Sequence, residues 1–323
     1  MQAQDYHGAK WALALRMKNA TDESIEGTFN KGTILRTHVM RPTWHFVAPS
    51  DIRWMAELTA PRVNASNAYM YRRLKLDSSI FLRSNNIIAR ALEGRRYLTR
   101  TEIAEALTDA GIRVKGLHLI YLIMRAEMDA LICSGPRRGK QFTYALLDER
   151  APQSKNLDRK QALGELVKRY FTGHGPATLR DFVWWSGLTM VDAKAGLECN
   201  PNLTREEIDG RTYWFLGSMN HDTVVSDKAF LLPTFDEFFV GYASFDKSRM
   251  GAMQNRKLVL FNSPIITGGK VVGSWRREIK KGATVIEASL FDEIVDEDLV
   301  ISAAHRYGEF MRLPVACSIK RIV

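Results

Sequence analysis

The stretch Leu131–Leu146, LICSGPRRGKQFTYAL, sets two short apolar runs, Leu131–Cys133 and Phe142–Leu146, around a tip bounded by glycines. Apolar runs separated by Gly-Pro and a further Gly read as a β-hairpin. The tip carries Arg137, Arg138 and Lys140. What precedes the hairpin gives it meaning. Ser79–Leu92 places Ile80, Ile87, Ile88 and Leu92 at helical spacing. Thr99 and Glu102 have the spacing of a capping box and open a helix that ends at Gly111. Lys115–Asp129 has an apolar stripe through Leu119, Leu122, Ile123 and Ala126. Three helices and then a hairpin are the order of a winged helix, and basic residues at its tip are placed to touch phosphate.

Working outward, the order recurs. A helix over Asp158–Phe171 stops at Gly173-His174-Gly175-Pro176, and Thr178 with Asp181 and Thr189 with Asp192 open two more. Strands over 203–208 and 211–216 flank Asp209-Gly210, a strong short hairpin signal. Upstream, helices are expected from Asp5 to about Met17 and from Thr21 to Gly32. Between Arg36 and Val47 lies the strand pair RTHVMRPTWHFV, and a helix capped by Ser50 follows and ends at Pro61. In the strand pair, Thr43 and His45 share one face and Trp44 and Phe46 the other. The polar face is expected to line a cleft. From Phe230 the texture turns to strands: 229–233, 238–242, 257–261, 264–267, 270–277 and 283–290, with turns at Gly268-Gly269 and Lys281-Gly282. Such crowding predicts a small barrel or a strongly curved sheet. A helix from about Asp296 to Arg312 closes the reading.

The fold class expected is therefore α+β, tandem winged helices followed by a C-terminal β-barrel-like domain. The units are residues 1–78, 79–152, 153–222 and 223–323.

A formal net charge of +10 over 323 residues favours polyanionic partners, nucleic acid first. No apolar run approaches the roughly 20 residues a membrane span needs, and no signal peptide follows Met1. Cys133, Cys199 and Cys317 are odd in number and far apart. They give neither a disulfide framework nor a metal-ligand spacing, which suits a reducing cytoplasm, and the seven histidines are dispersed. We expect no metal, no cofactor and no membrane partner, and a monomer. A nucleotide- or RNA-processing enzyme is a third and weaker reading with little support, because no Walker loop, HExxH or helix-opening G-x-G-x-x-G is present.

Several stretches together resemble the AlkZ/YcaQ-like winged-helix DNA glycosylases. They are Gln2-Ala3-Gln4; Arg36-Thr37-His38 running into Arg41-Pro42-Thr43-Trp44-His45-Phe46-Val47; Leu231-Leu232-Pro233 with Asp236-Glu237 and Gly241-Tyr242; and Val272-Gly273-Ser274-Trp275-Arg276. The likeness covers essentially the whole chain. It implies a basic clamp around duplex DNA, excision of N7-alkylated purines and, in some members, unhooking of interstrand crosslinks. The family's Gln-apolar-Gln/Asp motif falls on Gln2 and Gln4. Relatives carry helical sequence ahead of this motif, so the resemblance implies a first unit shortened at its N-terminal end. A second departure lies at Ala243–Arg249, where relatives often carry a denser Asp-Arg-Ser turn.

The chemistry of the motif follows from its residue types. Glutamine does not titrate near neutrality, so it is neither a general base nor a covalent nucleophile. Its carbonyl can place a water and its dipole can stabilise an oxocarbenium-like sugar. That suffices when the leaving group is an already cationic N7-alkylguanine. No lysine Schiff base is required, which implies a monofunctional glycosylase. Gln2 and Gln4 are the candidate catalytic residues, and His38, Trp44 and His45 line the site or pack beneath it. On a helix, Asp5 would point about 100° away from Gln4, so it is not taken as a base. Arg137, Arg138, Lys140, Arg211, Arg276, Arg277, Lys280 and Lys281 are the candidate phosphate contacts. The competing reading is a winged-helix DNA-binding protein without catalysis, a regulator or lesion sensor.

Overall fold

The computed structural model describes residues 1–218, 226–243, 263–280, 282–291 and 295–322. The fold is mixed α+β and divides into two compact units, Gly27–Gly217 and Met1–Glu26 with Ser218–Val323. The division falls inside the span 1–78 that the sequence reads as one unit. Its cause is apolar: Trp11 and Ile25 are buried in the same core as the C-terminal sheet.

In the unit Gly27–Gly217, β1 (Leu35–Val39) and β2 (Thr43–Val47) pair antiparallel, with Thr37 opposite His45 and His38 opposite Trp44. Helix α3 (Ile52–Arg73) then runs well past the stop expected at Pro61. Pro61 has no N–H to meet the carbonyl of Glu57. Both residues are exposed, and the helix continues past them. The N-cap is Asp51 rather than Ser50, and its side chain makes no capping bond. The Asp51 carboxylate instead accepts from Arg169 at 2.5 and 3.1 Å.

Next come α4 (Ser78–Leu92), β3 (Leu98–Thr99), α5 (Arg100–Asp109), α6 (Leu117–Met128), β4 (Ile132–Ser134) and β5 (Thr143–Leu146). The Thr99/Glu102 capping box forms, with the Glu102 carboxylate accepting the Thr99 N–H at 2.6 Å. The three strands make one sheet in the order β3-β5-β4. Ile88, Leu92, Ile103, Leu107, Leu122 and Ile132 are buried together between helices and sheet. The short α7 (Leu147–Arg150) leads to α8 (Arg159–His174), α9 (Leu179–Ser186) and α10 (Met190–Glu198), each of α8–α10 opened by a capping box. A hairpin of β6 (Leu203–Ile208) and β7 (Arg211–Leu216) ends the unit. Asp209 and Gly210 have φ of 51° and 70°, as a two-residue type I′ turn requires.

The other unit begins with α1 (Tyr6–Ala14), capped by Asp5, and the unit boundary crosses α2 (Asp22–Lys31). Beyond it lie β8 (Ala229–Leu231), α11 (Glu237–Val240), β9 (Ser263–Thr267), β10 (Lys270–Lys280), β11 (Ala283–Leu290), α12 (Glu297–Met311) and β12 (Val315–Arg321). They form a five-stranded sheet, order β12-β11-β10-β9-β8, parallel only between β11 and β12. Among the described residues β8 and β12 are the edges of this sheet, which stands where a small barrel or a strongly curved sheet was expected. Inward residues of β10 and β11, among them Trp275, Ile286 and Ala288, pack with Trp11 of α1 and Tyr307 of α12.

One expectation fails here, one strand was not expected, and two readings fall wholly or mostly outside the described residues. Residues 238–242 are not a strand, because Asp236 caps a helical turn through the Phe238 N–H at 2.9 Å. That local bond outweighs the β preference of Phe-Phe-Val. Strand β12 was not anticipated, although Val315, Cys317 and Ile319 recur at alternate positions. The expected strand 257–261, like most of the turn at 243–249, lies outside the described residues.

Candidate functional site

The glutamine motif is an irregular segment leading into α1. Ala3 is fully buried, Gln2 half-buried and Gln4 exposed. The backbone N–H of Gln2 donates to Oε1 of Glu237 at 2.9 Å. Asp5 adopts an extended conformation at the N-cap and accepts from the Gly8 N–H at 3.1 Å. Its expected position on a helix is therefore corrected, and its carboxylate is engaged in capping. A Cβ on Gly8 would come within 2.5 Å of the Asp5 carboxylate and 3.1 Å of Pro233.

The turn that carries Glu237 is itself fixed. Trp11 Nε1 donates to the Leu231 carbonyl at 2.6 Å and Trp275 Nε1 to the Leu232 carbonyl at 2.8 Å. The fully buried Asp236 carboxylate accepts from Arg16 at 2.7 and 3.0 Å. Beneath this turn Tyr307 packs against Trp11 and Trp275, and burial pushes its phenol up to about 12. Arg16, Asp236 and Glu237 were not assigned roles from the sequence. The adjacent Asp236-Glu237 pair in an apolar surround was the available signal.

In the other unit His38, Trp44 and His45 sit on the β1–β2 pair. Every residue of β1 is buried, whereas Thr43 and Trp44 at the start of β2 are half-buried. His45 is also wholly buried, with Nδ1 3.0 Å from the Thr43 carbonyl. His38 packs at a tilt against Trp44, ring centroids 4.4 Å apart, and its Nδ1 lies 2.5 Å from Oε2 of Glu127. The Arg36 guanidinium lies over Trp44 at 4.2 Å and over Phe142 at 4.6 Å, and Arg137 lies over Phe142 at 4.6 Å. The result is a ladder of alternating cations and rings that ends at a buried carboxylate. Glu127 was missed, although a charge inside the apolar stripe of α6 signals a buried partner.

The candidate phosphate contacts differ in how far they are engaged within the protein. Arg138 is 2.7 Å from Glu102, whose carboxyl is held down to about 2 by the Thr99 N–H and by Arg138. Arg276 donates to Glu287 across the sheet at 2.6 Å. Arg277 donates to the Tyr307 hydroxyl, and Lys280 is 2.7 Å from Glu278. Lys140 and Arg211 are exposed, and Lys281 lies outside the described residues. Burial pushes the Cys133 thiol up to about 12, so it stays protonated. Among the described residues no group of three His, Cys, Asp or Glu is placed to hold a metal ion. No helix among them is long and apolar enough to cross a membrane.

The family model described as DNA glycosylase AlkZ-like matches residues 1–310, glutamine motif included. The chain belongs to the AlkZ-like DNA glycosylase family. An AlkZ-like relative from Streptomyces sahachiroi, an interstrand DNA cross-link repair glycosylase, is 23% identical over 346 residues, 98% of this chain and 84% of the relative. The solved structure of the Streptomyces sahachiroi DNA glycosylase AlkZ is similar with a TM-score of 0.80, over 98% of this chain and 91% of that one, at 22% identity. That likeness shows a shared AlkZ-like fold.

Proposed function

We propose that this AlkZ-like chain is a monofunctional DNA glycosylase that removes N7-alkylated purines from duplex DNA, interstrand crosslinks included. The observation that carries the reading is the Gln2-Ala3-Gln4 segment, placed at the head of α1 by a buried central alanine and a backbone bond to Glu237. The sets α4–β5 and α8–β7 act as two winged helices that meet the duplex, with the net charge of +10 supporting attraction to phosphate.

In this reading the bond between C1′ and N9 breaks first. N9 takes the electron pair, and the cationic N7-alkylguanine leaves as a neutral base. The glutamine carbonyls orient a water against the oxocarbenium-like sugar and oppose its charge with their dipoles. Water adds to C1′ and loses its proton to solvent, leaving an abasic site. No step needs a titrating side chain, so none of the buried histidines is asked for a proton.

The test is excision from a duplex bearing one N7-methylguanine, read as alkali-sensitive cleavage at that position. The unsubstituted protein cleaves, and Gln2→Ala and Gln4→Ala each lose about 10²–10³-fold, the usual scale for one preorganised electrostatic group. Salt-sensitive binding with no excision favours the competing reading, a non-catalytic lesion sensor or regulator.

A further inference from the structure

We infer that Glu237 is the positioning residue for the glutamine motif, working with its neighbour Asp236 as a two-point clasp on the segment Gln2–Arg16. The inference rests on the glycosylase reading of Gln2 and Gln4 and extends it to residues that touch no substrate.

One short turn meets this segment at three places. Glu237 accepts the Gln2 N–H at 2.9 Å, ahead of α1. Pro233 packs against Gly8, where a Cβ would approach to 3.1 Å. Asp236 takes the Arg16 guanidinium in a two-bond pair, beyond the end of α1. The turn is in turn hung from the sheet core by the indoles of Trp11 and Trp275. Glutamine side chains that act only through dipoles depend on direction. Their backbone must therefore be held to within about half an ångström of the working position. The residues before a helix have no helical hydrogen bonds to hold them. Glu237 supplies that hold from a buried carboxylate, and Asp236 stops the far end of the segment from sliding.

The experiment compares the unsubstituted protein with Glu237→Ala and Glu237→Gln. Three quantities are measured: exchange of the Gln2 amide proton by NMR on glutamine-labelled protein, single-turnover excision of N7-methylguanine, and salt-dependent binding to undamaged duplex. In Glu237→Ala the Gln2 amide exchanges faster and excision falls by about 10²-fold, the scale of a misplaced reacting group. Binding to undamaged duplex stays as it was. Glu237→Gln keeps a carbonyl acceptor and recovers at least about tenfold of the loss. An unaltered Gln2 amide in Glu237→Ala overturns the clasp. Faster exchange with undiminished excision overturns its part in the chemistry. Faster exchange in a protein that never excises overturns the glycosylase reading and leaves the clasp as a structural tie only.

Discussion

Nδ1 of His38, on β1, lies 2.5 Å from Oε2 of Glu127, on α6, and both side chains are buried. This contact joins the early strand pair to the third helix of the following helical set. Two residues that sequence separates by 89 positions therefore share one desolvated environment. Glu127 also follows directly on Ala126, which belongs to the packed core of that set.

His38→Leu leaves the Glu127 carboxylate buried without its partner. We expect a loss of about 3 kcal/mol or more in urea unfolding, as for other broken buried pairs. The double substitution His38→Leu with Glu127→Leu removes both polar groups and should recover a large part of that loss. Losses that simply add between His38→Leu, Glu127→Leu and the double variant would show that the contact carries no coupling.

Lys140 and Arg211 are exposed, whereas Arg276 is matched across the sheet by Glu287. If phosphate contact follows availability, Lys140→Ala and Arg211→Ala each reduce the slope of log Kd against log salt by about one. Arg276→Ala changes it less, because Glu287 already offsets that charge. Titrations at several salt concentrations decide between this order and a uniform effect.

Gly8→Ala forces a methyl group against the Asp5 carboxylate and Pro233. The N-cap of α1 must open or the Pro233 turn must move. Loss of a cap alone costs about 1 kcal/mol. Thermal unfolding should show at least that much, and excision should fall with it because Gln4 adjoins Asp5.

The Glu102 carboxyl is held at about 2 in the folded protein by the Thr99 N–H and Arg138, against an ordinary value of 4.5. A depressed folded value means that its stabilising contribution is complete above about 4.5 and is lost as pH falls toward about 2. The difference in melting temperature between unsubstituted protein and Glu102→Gln should be present at about pH 6 and shrink by about pH 3. A difference independent of pH would assign the effect to packing.

The helical sets were legible because their signals are local. Thr99 with Glu102, Thr178 with Asp181 and Thr189 with Asp192 all close as capping boxes, and Asp209-Gly210 turns as its composition says. The failures share a different origin. Pro61 was read as a stop because its own chemistry says so, yet α3 continues through it at an exposed position. Residues 238–242 were read as a strand because nothing in Phe238-Phe239-Val240 reveals that Asp236 will cap them. Strand β12 was missed although Val315, Cys317 and Ile319 alternate along it, and it is placed by its parallel pairing with β11. At the candidate site the glutamines were visible only through resemblance. Glu237 and Glu127 reach their partners across 235 and 89 residues, beyond any local pattern.

The unit that holds the glutamines is interrupted in sequence by the whole of residues 27–217. During synthesis Trp11 and Ile25 emerge early, but Leu231, Trp275, Ile286 and Tyr307, which cover them, emerge last. Domains ordinarily fold in the order in which they leave the ribosome. Here residues 27–217 can complete their own core while Gln2 still lacks Glu237. On the glycosylase reading proposed above, the glutamine segment is therefore completed later in synthesis than the core of residues 27–217, although it is made first.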